Sequence, residues 1–480
     1  MLVMTMRSSI ARFVLVALLW MVSSVMAETL PVPVMQALKT AGIPVNSVSL
    51  IVRDVDSTNP RVSFGSNQLM NPASVIKLLT TYAALDLLGP AYAWQTEVLV
   101  GETLVDGVLK GDLYIRGGGD PKFTYEQLWR LLRQVRQRGI KEINGDLVLD
   151  RSAFQVPEVD TGAFDDQPMR PYNVLPDALL LNFNAVSLRL MPDSASATLG
   201  VGSEPVLSNL EIVNRLVLGK QSRCADWRDS LRADAFPKAN GTRLVLTGTY
   251  PLSCGDQTWN ISPGVPQRYF LGVFQALWIE LGGSFSGEVR AGVVPTNARL
   301  IADMSSPSLA EVVRDINKYS NNVMARQLYL TLGLSSGRRP VRDEDAEAVV
   351  RNWLRTRNLD KPGLVLDNGS GLSRQTRISA AHMAQILQSA WNSAVMPELM
   401  ASLPLTAMDG TMKKRLKQQG VAGQAHIKTG SLEGVRAIAG YVLDRAGRRS
   451  IVVFLINHTN AAAARPAQDA LLQWMYERGE

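Results

Sequence analysis

The chain has 480 residues, three histidines, two cysteines and a formal net charge of +7. Its basic residues are spread along the sequence, which argues against nucleic acid as a partner and favours an anionic surface. Two cysteines and three scattered histidines give no metal-ligand spacing, so we expect neither a metal ion nor another cofactor.

The first 27 residues predict a cleaved signal peptide. They contain two arginines, an apolar core over residues 13–21 and a small-residue cleavage site at 25–27. The apolar core is too short to span a bilayer comfortably, so removal is favoured over anchoring, and no second span follows. Because an exported chain meets oxidising conditions, we expect its only cysteines, Cys224 and Cys254, to form a disulfide and not a reactive thiol.

The first candidate catalytic motif is Ser74-Val75-Ile76-Lys77. A helix-breaking segment at 71–73 precedes the motif. Residues 75–85 predict a buried helix, which Gly89-Pro90 ends. Ser74 is expected at the helix N-terminus, with Lys77 one turn away on the same face and able to reach the hydroxyl. Histidine is scarce, so Lys77 is the better general base if burial or a second cation favours its neutral amine. The alternative is an ordinary N-cap followed by a solvated lysine.

A long β-rich region follows the first motif. Alternating runs at 96–100, 111–115 and 145–149 predict strands, and one helix is predicted at about 124–138. The next candidate catalytic residue, Ser320, comes 246 positions after Ser74, which is more chain than one compact catalytic domain needs there. We therefore predict an insert over residues 93–267, and a catalytic domain made of residues 28–92 plus 268–480.

After the insert the pattern becomes helical, at 269–278 and 309–316. Ser320-Asn321-Asn322 falls at the break before a further helix, 323–329. A loop position there would let Ser320 and Asn322 both point into a cleft. The alternative is a helix N-cap at Asn321 or Asn322.

The third motif, Lys428-Thr429-Gly430, lies in the first of three predicted antiparallel strands at about 425–432, 437–443 and 450–457. Beside the nucleophile it would offer a cation, a hydroxyl and close backbone approach at the glycine. Lys428 is also a candidate for the cation that keeps Lys77 neutral. An exposed strand end is the alternative for such a triplet.

The three motifs in this order resemble the active site of the penicillin-binding protein and serine β-lactamase superfamily. The stretch from Asp367 to Arg374, the stretch 115–121 and the long gap after the first motif resemble one branch of it. That branch is the class C low-molecular-mass penicillin-binding proteins of the penicillin-binding protein 4 type. The resemblance implies an α/β (α+β) fold: a β-lactamase/transpeptidase-like antiparallel sheet flanked by helices, with a large β-rich insertion of two nested modules.

The resemblance also implies an activity. It predicts a serine-type D-alanyl-D-alanine carboxypeptidase and D-alanyl-diaminopimelate endopeptidase that acts on peptidoglycan stem peptides and is inhibited by covalent β-lactam acylation. With the signal peptide it implies a periplasmic enzyme, whose basic surface suits the sacculus or, through peripheral contact, phospholipid head groups. A β-lactamase would share the motifs, but no base for its deacylating water is identifiable, and a non-catalytic cell-wall binding protein would not need the complete reactive set.

Carried over position by position, the resemblance assigns five catalytic residues. Ser74 would be the acylated nucleophile and Lys77 its base. Ser320 would pass the proton to the leaving amine, and Asn322 would hydrogen-bond the substrate amide. Lys428 would tune this proton network and attract the terminal carboxylate of the substrate.

The remaining assignments concern substrate binding. Thr429 and Gly430 would line the carboxylate end, and the backbone N–H of Ser431 would complete an oxyanion hole with that of the nucleophile. Arg374 and Asp166 would bind the diaminopimelate end of the stem. The alternative at Asp166 is an ordinary solvated loop carboxylate. Glu433 stands where we expect glutamine in such proteins, and its extra carboxylate would change the recognition of that end.

Overall fold

The structure is a computed structural model that describes residues 29–220, 224, 227–239 and 241–477. The predicted signal peptide, residues 1–27, lies outside these ranges. Within them, no helix combines the length and the apolar character needed to cross a membrane.

The described ranges contain ten α-helices, several short 3₁₀ turns and twenty-two strands. The helices are α1 Val32–Thr40, α2 Lys77–Leu88, α3 Tyr125–Gln137, α4 Pro266–Glu280, α5 Leu309–Tyr319, α6 Asn322–Leu334, α7 Asp343–Thr356, α8 Ala380–Trp391, α9 Met396–Ser402 and α10 Arg465–Glu477. The 3₁₀ turns are Val45–Ser47, Ala73–Ile76, Pro171–Asn173, Asn182–Asn184, Trp227–Ser230, Leu252–Cys254, Gly410–Met412 and Thr459–Ala464.

The strands are β1 Val48–Asp54, β2 Pro60–Phe64, β3 Leu69–Met70, β4 Gln95–Val100, β5 Leu104–Val105, β6 Val108–Leu109, β7 Leu113–Gly117, β8 Glu142–Ile143, β9 Leu147–Asp150, β10 Val186–Asp193, β11 Thr198–Glu204, β12 Leu210–Gly219, β13 Leu231–Lys238, β14 Gly241–Pro251, β15 Gln257–Ile261, β16 Ser284–Phe285, β17 Val289–Ala291, β18 Arg299–Ser305, β19 Ile378–Ser379, β20 Ala425–Leu432, β21 Val435–Leu443 and β22 Arg449–Asn457.

A five-stranded antiparallel sheet, in the order β2-β1-β22-β21-β20, forms the centre of the catalytic half. Strand β22 is apolar at successive positions, from Ile451 to Ile456, because helices cover both of its faces. On one face it packs with α1 and α10, and on the other with α2, α5 and α8. The predicted antiparallel sheet flanked by helices is confirmed, and β20 lies at its edge.

Helix α2 runs inside this core. Its residues from Lys77 to Leu85 are all buried, so the helix has no polar face and must be enclosed by its neighbours. The turn Ala73–Ile76 precedes it, which makes the start of α2 the point where the helical core meets strand β20.

The inserted region extends further than predicted. Strands β17 and β18 pair with β9 and β4 of the insert, and α4 buries Phe270, Phe274 and Trp278 in the insert's core. The boundary expected at residue 267 is therefore corrected to about residue 306. An apolar helical pattern shows that α4 is buried but cannot show against which sheet, which is why the sequence misassigned it.

Within the insert, β10, β11 and β15 form one three-stranded sheet, and β12, β13 and β14 form another. A disulfide joins Cys224 to Cys254 beside the second of these sheets. The division of the insert into two nested modules stays a prediction.

One buried side chain ties the insert to the catalytic half. Gln327 of α6 accepts a hydrogen bond from the backbone N–H of Asp177 at 2.7 Å and donates to the carbonyl of the same residue at 2.8 Å. Nearby, the indole of Trp94 donates to the hydroxyl of Thr331, also on α6, at 3.0 Å. The insert is thus held by the helix that begins at Asn322.

Candidate active site

Ser74 lies on the strained turn before α2. Its neighbour Ala73 has a φ of 46°, in the left-handed region that disfavours residues with a Cβ. Asn71 holds this conformation: its Oδ1 accepts from the N–H of Ala73 at 2.8 Å, and its Nδ2 donates to the carbonyl of Ser373 at 2.8 Å. Asn457, at the end of β22, exchanges two further hydrogen bonds with the backbone of Asn71. The turn is therefore fixed to the sheet, with Ser74 lining a cleft.

Lys77 is fully buried behind Ser74. Its Nζ lies 2.9 Å from Ser74 Oγ, 2.7 Å from Asn322 Oδ1 and 2.5 Å from the carbonyl oxygen of Ser370. Burial, together with the charge of Lys428, lowers the pKa of Lys77 well below its usual value.

These contacts define what the neutral amine can do. A neutral amine has two hydrogens and one lone pair, and the oxygens of Asn322 and Ser370 can only accept. If they take the two hydrogens, the lone pair of Lys77 faces the hydroxyl of Ser74. The arrangement can therefore accept the hydroxyl proton of Ser74.

The second lysine contacts the second serine. Lys428 Nζ lies 2.7 Å from Ser320 Oγ and 2.8 Å from the carbonyl oxygen of Thr429. Lys428 is also fully buried, and burial lowers its pKa to about 7. Ser320 ends helix α5 in the left-handed conformation, with a φ of 57°.

The two asparagines that follow Ser320 have different positions. Asn321 is the N-cap of α6, because its Oδ1 accepts from the N–H of Met324 at 3.0 Å. Asn322 instead reaches Lys77. Of the two N-cap alternatives left open by the sequence, the structure selects Asn321 and leaves Asn322 to the site.

Two glycines allow the backbone segments to converge on the turn that carries Ser74. A Cβ at Gly430 of β20 would lie 2.6 Å from the carbonyl oxygen of Pro72 and 3.2 Å from the nitrogen of Ser74. A Cβ at Gly371, whose φ is 78°, would collide with the carbonyl of Ala73. Neither position can carry a side chain without moving the turn.

Thr411 is a cleft residue that the sequence motifs did not identify. Its Oγ1 lies 2.8 Å from Oγ1 of Thr429, and both side chains line the cleft. Lys318 anchors the segment before it by donating to Asp409 at 2.7 Å and to the carbonyl of Leu403 at 2.6 Å. The only sequence signal here is the turn-forming pair Asp409-Gly410, which predicts a turn and no chemistry.

The carbonyl of Ser370 was missed as well, because a main-chain acceptor leaves no trace in residue identity. Its position depends on Asn368, whose Oδ1 accepts from the N–H of Ser370 at 3.1 Å and from its hydroxyl at 2.7 Å. The buried part of the motif at 367–374 thus presents a backbone oxygen to Lys77.

Arg374 and Glu433 meet at the outer end of the cleft. Arg374 donates to the backbone carbonyl of Glu433 at 3.2 Å and to its carboxylate at 3.4 Å. The guanidinium also lies 4.7 Å from the ring centre of Phe164, which comes from the insert. The carboxylate of Glu433 is 90% exposed, so this pair contributes little to stability.

The insert residue predicted for this end is corrected. Asp166 lines a different cavity on the other side of its loop, whereas Asp165 lines the cleft. Asp165 accepts from the hydroxyl of Tyr172 at 2.8 Å and from Nδ2 of Asn173 at 2.7 Å. The chain turns at Asp166, whose φ is 57°, and the two neighbouring carboxylates therefore serve opposite faces. A loop turn of this kind cannot be read from spacing.

The cleft has a volume of about 1030 Å³ and lies between β20, the loop after α5 and the insert. Ser431 lines it on β20; its expected role as an oxyanion donor stays a prediction. In the part of the chain that the structure describes, no group of three or more His, Cys, Asp or Glu side chains is placed to hold a metal ion.

Comparisons with known proteins place the chain in a family. The family model described as the D-Ala-D-Ala carboxypeptidase 3 (S13) family matches residues 33–478. The D-alanyl-D-alanine carboxypeptidase of Actinomadura sp. (strain R39) is 28% identical over 424 residues, covering 85% of this chain and 77% of that protein. The D-alanyl-D-alanine carboxypeptidase DacB of Haemophilus influenzae is 24% identical over 414 residues, covering 86% of this chain and 85% of that protein.

The crystal structure of penicillin binding protein 4 (dacB) from Haemophilus influenzae superposes with a TM-score of 0.78 at 23% identity, over 93% of this chain and 100% of that one. A second structure of the same protein is a complex with a β-lactam, with a TM-score of 0.73. The likeness shows a shared fold, and the family model covers almost the whole chain. The chain belongs to the D-Ala-D-Ala carboxypeptidase 3 (S13) family, which confirms the resemblance to low-molecular-mass enzymes of the penicillin-binding protein 4 type.

Proposed function

We propose that this enzyme hydrolyses peptidoglycan stem peptides through a serine ester at Ser74, as a D-alanyl-D-alanine carboxypeptidase and as an endopeptidase. The observation that carries the proposal is the buried, carboxylate-free contact between Lys77 and Ser74. Among the described residues no acidic side chain forms an ion pair with Lys77, so no carboxylate offsets the burial and the charge of Lys428 that lower its pKa. A lysine in this state is a competent base near neutral pH.

Acylation would begin with attack of Ser74 Oγ on the carbonyl carbon of a D-alanine, as its proton passes to Lys77. The backbone N–H groups of Ser74 and Ser431 would stabilise the oxyanion. The C–N bond then breaks, the amine leaves with a proton supplied through Ser320, and the acyl group stays on Ser74. Water subsequently hydrolyses this ester.

The other end of the cleft would bind the carboxylate of the leaving residue. Lys428 supports this role because, when protonated, it places a cation beside the backbone of Thr429, and the hydroxyls of Thr429 and Thr411 line the cleft there. The same cation also stands beside Ser320, so carboxylate binding and proton delivery would be coupled. Asn322, held by Lys77, would hydrogen-bond the substrate amide.

The carboxypeptidase and endopeptidase reactions would differ only in the leaving amine. Free D-alanine leaves in the first, and the side-chain amine of a neighbouring diaminopimelate leaves in the second. Arg374, Asp165 and Glu433 would contact the diaminopimelate end, because they bring both signs of charge to one end of the cleft. We further propose a periplasmic location, β-lactams as covalent inhibitors, peripheral contact with the membrane and no nucleic-acid partner.

The test is chromatography of products from two substrates, a monomeric pentapeptide and a cross-linked muropeptide, with the purified mature chain. We expect D-alanine from the first and monomers from the second, and neither product from Ser74→Ala. Ser335→Ala is the control, because that hydroxyl donates to the carbonyl of Leu332 at a helix end far from the cleft. Retained hydrolysis by Ser74→Ala would move the nucleophile elsewhere.

A further inference from the structure

A second cavity lies against the cleft. Its volume is about 1160 Å³, and the loop over residues 157–170 separates it from the cleft. Three residues, Arg170, Arg228 and Trp259, line both spaces, so the two cavities adjoin at the edge of this loop. The reaction proposed above does not use the second cavity.

Contacts within the protein fix the border between the two cavities. Arg228 stacks on Trp227 with its guanidinium 4.9 Å from the ring and donates to the carbonyl of Thr258 at 3.4 Å. Trp259, next along β15, is 7% exposed and forms part of the wall. These contacts hold a guanidinium and an indole at the point where a bound chain would pass from one space to the other.

The walls of the second cavity combine exposed apolar groups with balanced charge. Val159 and Val265 line it and are 56% and 58% exposed. Its charged side chains are partly neutralised, since Arg232 pairs with Asp234 at 2.9 Å and Arg151 pairs with Asp177. Such a surface suits a short peptide that has methyl groups and charges of both signs, whereas a polyanion would need an excess of cations.

We propose that this cavity binds the second peptide stem of a cross-linked substrate while the first stem reacts at Ser74. The inference rests on the proposed function and adds a binding site to it. A cross-linked dimer has two stems joined through the scissile bond, and the shared border at Arg170 and Arg228 brings the second cavity within reach of a stem that leaves the cleft. The cavity would then select cross-linked substrates over monomeric stems.

Two variants test the cavity without touching the cleft. Ala235→Trp fills it from the exposed edge of β13, and Val265→Asp places a charge on its apolar wall. Val265 is the N-cap of α4, where aspartate is a favoured residue, so the second variant keeps the fold. Ala195→Trp and Val293→Asp are matched controls at exposed positions that line neither space.

The measurement is kcat/KM for a sugar-free cross-linked peptide dimer and for a monomeric pentapeptide. We expect both cavity variants to lower the value for the dimer about tenfold, equivalent to ~1.4 kcal/mol, and to leave the monomer value and Ser74 acylation unchanged. The controls should match the parent. Unchanged dimer cleavage, or an equal loss on both substrates, would overturn the proposal, as would a loss seen only with dimers that carry sugars.

Failure of the proposed endopeptidase function would give a different pattern of activities from failure of the cavity proposal. If the parent acylates with benzylpenicillin and trims the monomer but does not cleave dimers, the endopeptidase assignment fails. Binding of the dimer to Ser74→Ala then tests whether the cavity binds the second stem. A larger dissociation constant for the dimer in the double variant Ser74→Ala/Val265→Asp than in Ser74→Ala supports the cavity as a binding site. Equal dissociation constants in the two proteins reject it.

Discussion

At the scale of single residues, the site depends on two lysines that are both fully buried. Burying an ammonium group costs free energy, and the protein offsets little of that cost, because the partners of Lys77 and Lys428 are hydroxyl, amide and carbonyl oxygens. Both pKa values are lowered as a result. In the proposed mechanism the lysines therefore serve the reaction at the expense of stability.

Lys428→Met should stabilise the protein at pH 7 by about 1–2 kcal/mol while it slows acylation. The folded-state pKa of Lys428, about 7, lies below the unfolded value of 10.5. Between these values the unfolded chain binds more protons, so the parent's stability should rise with pH by up to ~1.4 kcal/mol per unit.

Lys428→Met should lose the part of the rise in stability with pH that Lys428 causes. Lys77 contributes a rise in the same direction in both proteins. Denaturant unfolding at pH 7 and pH 9.5 measures the effect, with the exposed Lys417→Met as control. A variant less stable than the parent at pH 7 would show that the lysine's partners outweigh its desolvation.

Thr411→Val should lower kcat/KM for a pentapeptide by about 10- to 100-fold, mainly through KM, because a hydrogen bond to a charged group contributes ~1.5–3 kcal/mol. Thr411→Ser keeps the hydroxyl and should restore the parent value. Thr411 is exposed, so neither variant should change the unfolding temperature. Equal kcat/KM values for Thr411→Val and Thr411→Ser would show that the hydroxyl of Thr411 does not bind the carboxylate.

At the scale of elements, close packing of backbone against backbone positions Ser74, the proposed nucleophile. The edge strand β20, the 367–374 loop and the turn before α2 meet where two glycines leave no room for side chains. The motifs predicted that Gly430 allows close approach, and the antiparallel strands were predicted almost at their observed bounds. The backbone oxygen of Ser370 and the turn that presents Thr411 could not be predicted, because tertiary contacts alone define them.

Gly430→Ala should reduce the rate of β-lactam acylation at least about 100-fold, since its Cβ would push the Ser74 turn away from the strand and misplacement by ~1 Å can cost this much. The matched control is Gly200→Ala on β11, where a Cβ would make ordinary contacts at 3.5 Å or more. Stopped-flow acylation checks the rate, and circular dichroism checks the fold. Parent-like acylation in Gly430→Ala would refute the close-approach argument.

At the scale of the whole molecule, the insert is tied to the catalytic half through α6, and its Phe164 and Asp165 border the cleft. Periodicity predicted that an insert exists but ended it too early, because α4 and β18 return to the insert's sheets from a segment whose pattern looks like the catalytic domain. The side of its loop that each carboxylate faces, as with Asp165 and Asp166, could not be predicted either, because it depends on the backbone turn at Asp166.

Gln327→Leu should loosen this connection. It leaves the buried N–H and carbonyl of Asp177 without their partner, at a cost of about 2–4 kcal/mol. We expect faster limited proteolysis near residues 93 and 306 and a lower unfolding temperature, with Gln275→Leu, at a surface hydrogen bond to Ser208, as control. Identical digestion of the two variants would show that the contact does not hold the insert.

The most direct test of the central claim is intact-mass spectrometry of the purified mature chain mixed with benzylpenicillin, followed over time and mapped by peptide. The proposed mechanism predicts a long-lived adduct on Ser74 that is lost in Ser74→Ala. Rapid turnover of the adduct would instead indicate a β-lactamase. No adduct on Ser74 at any time would contradict the serine-ester mechanism itself.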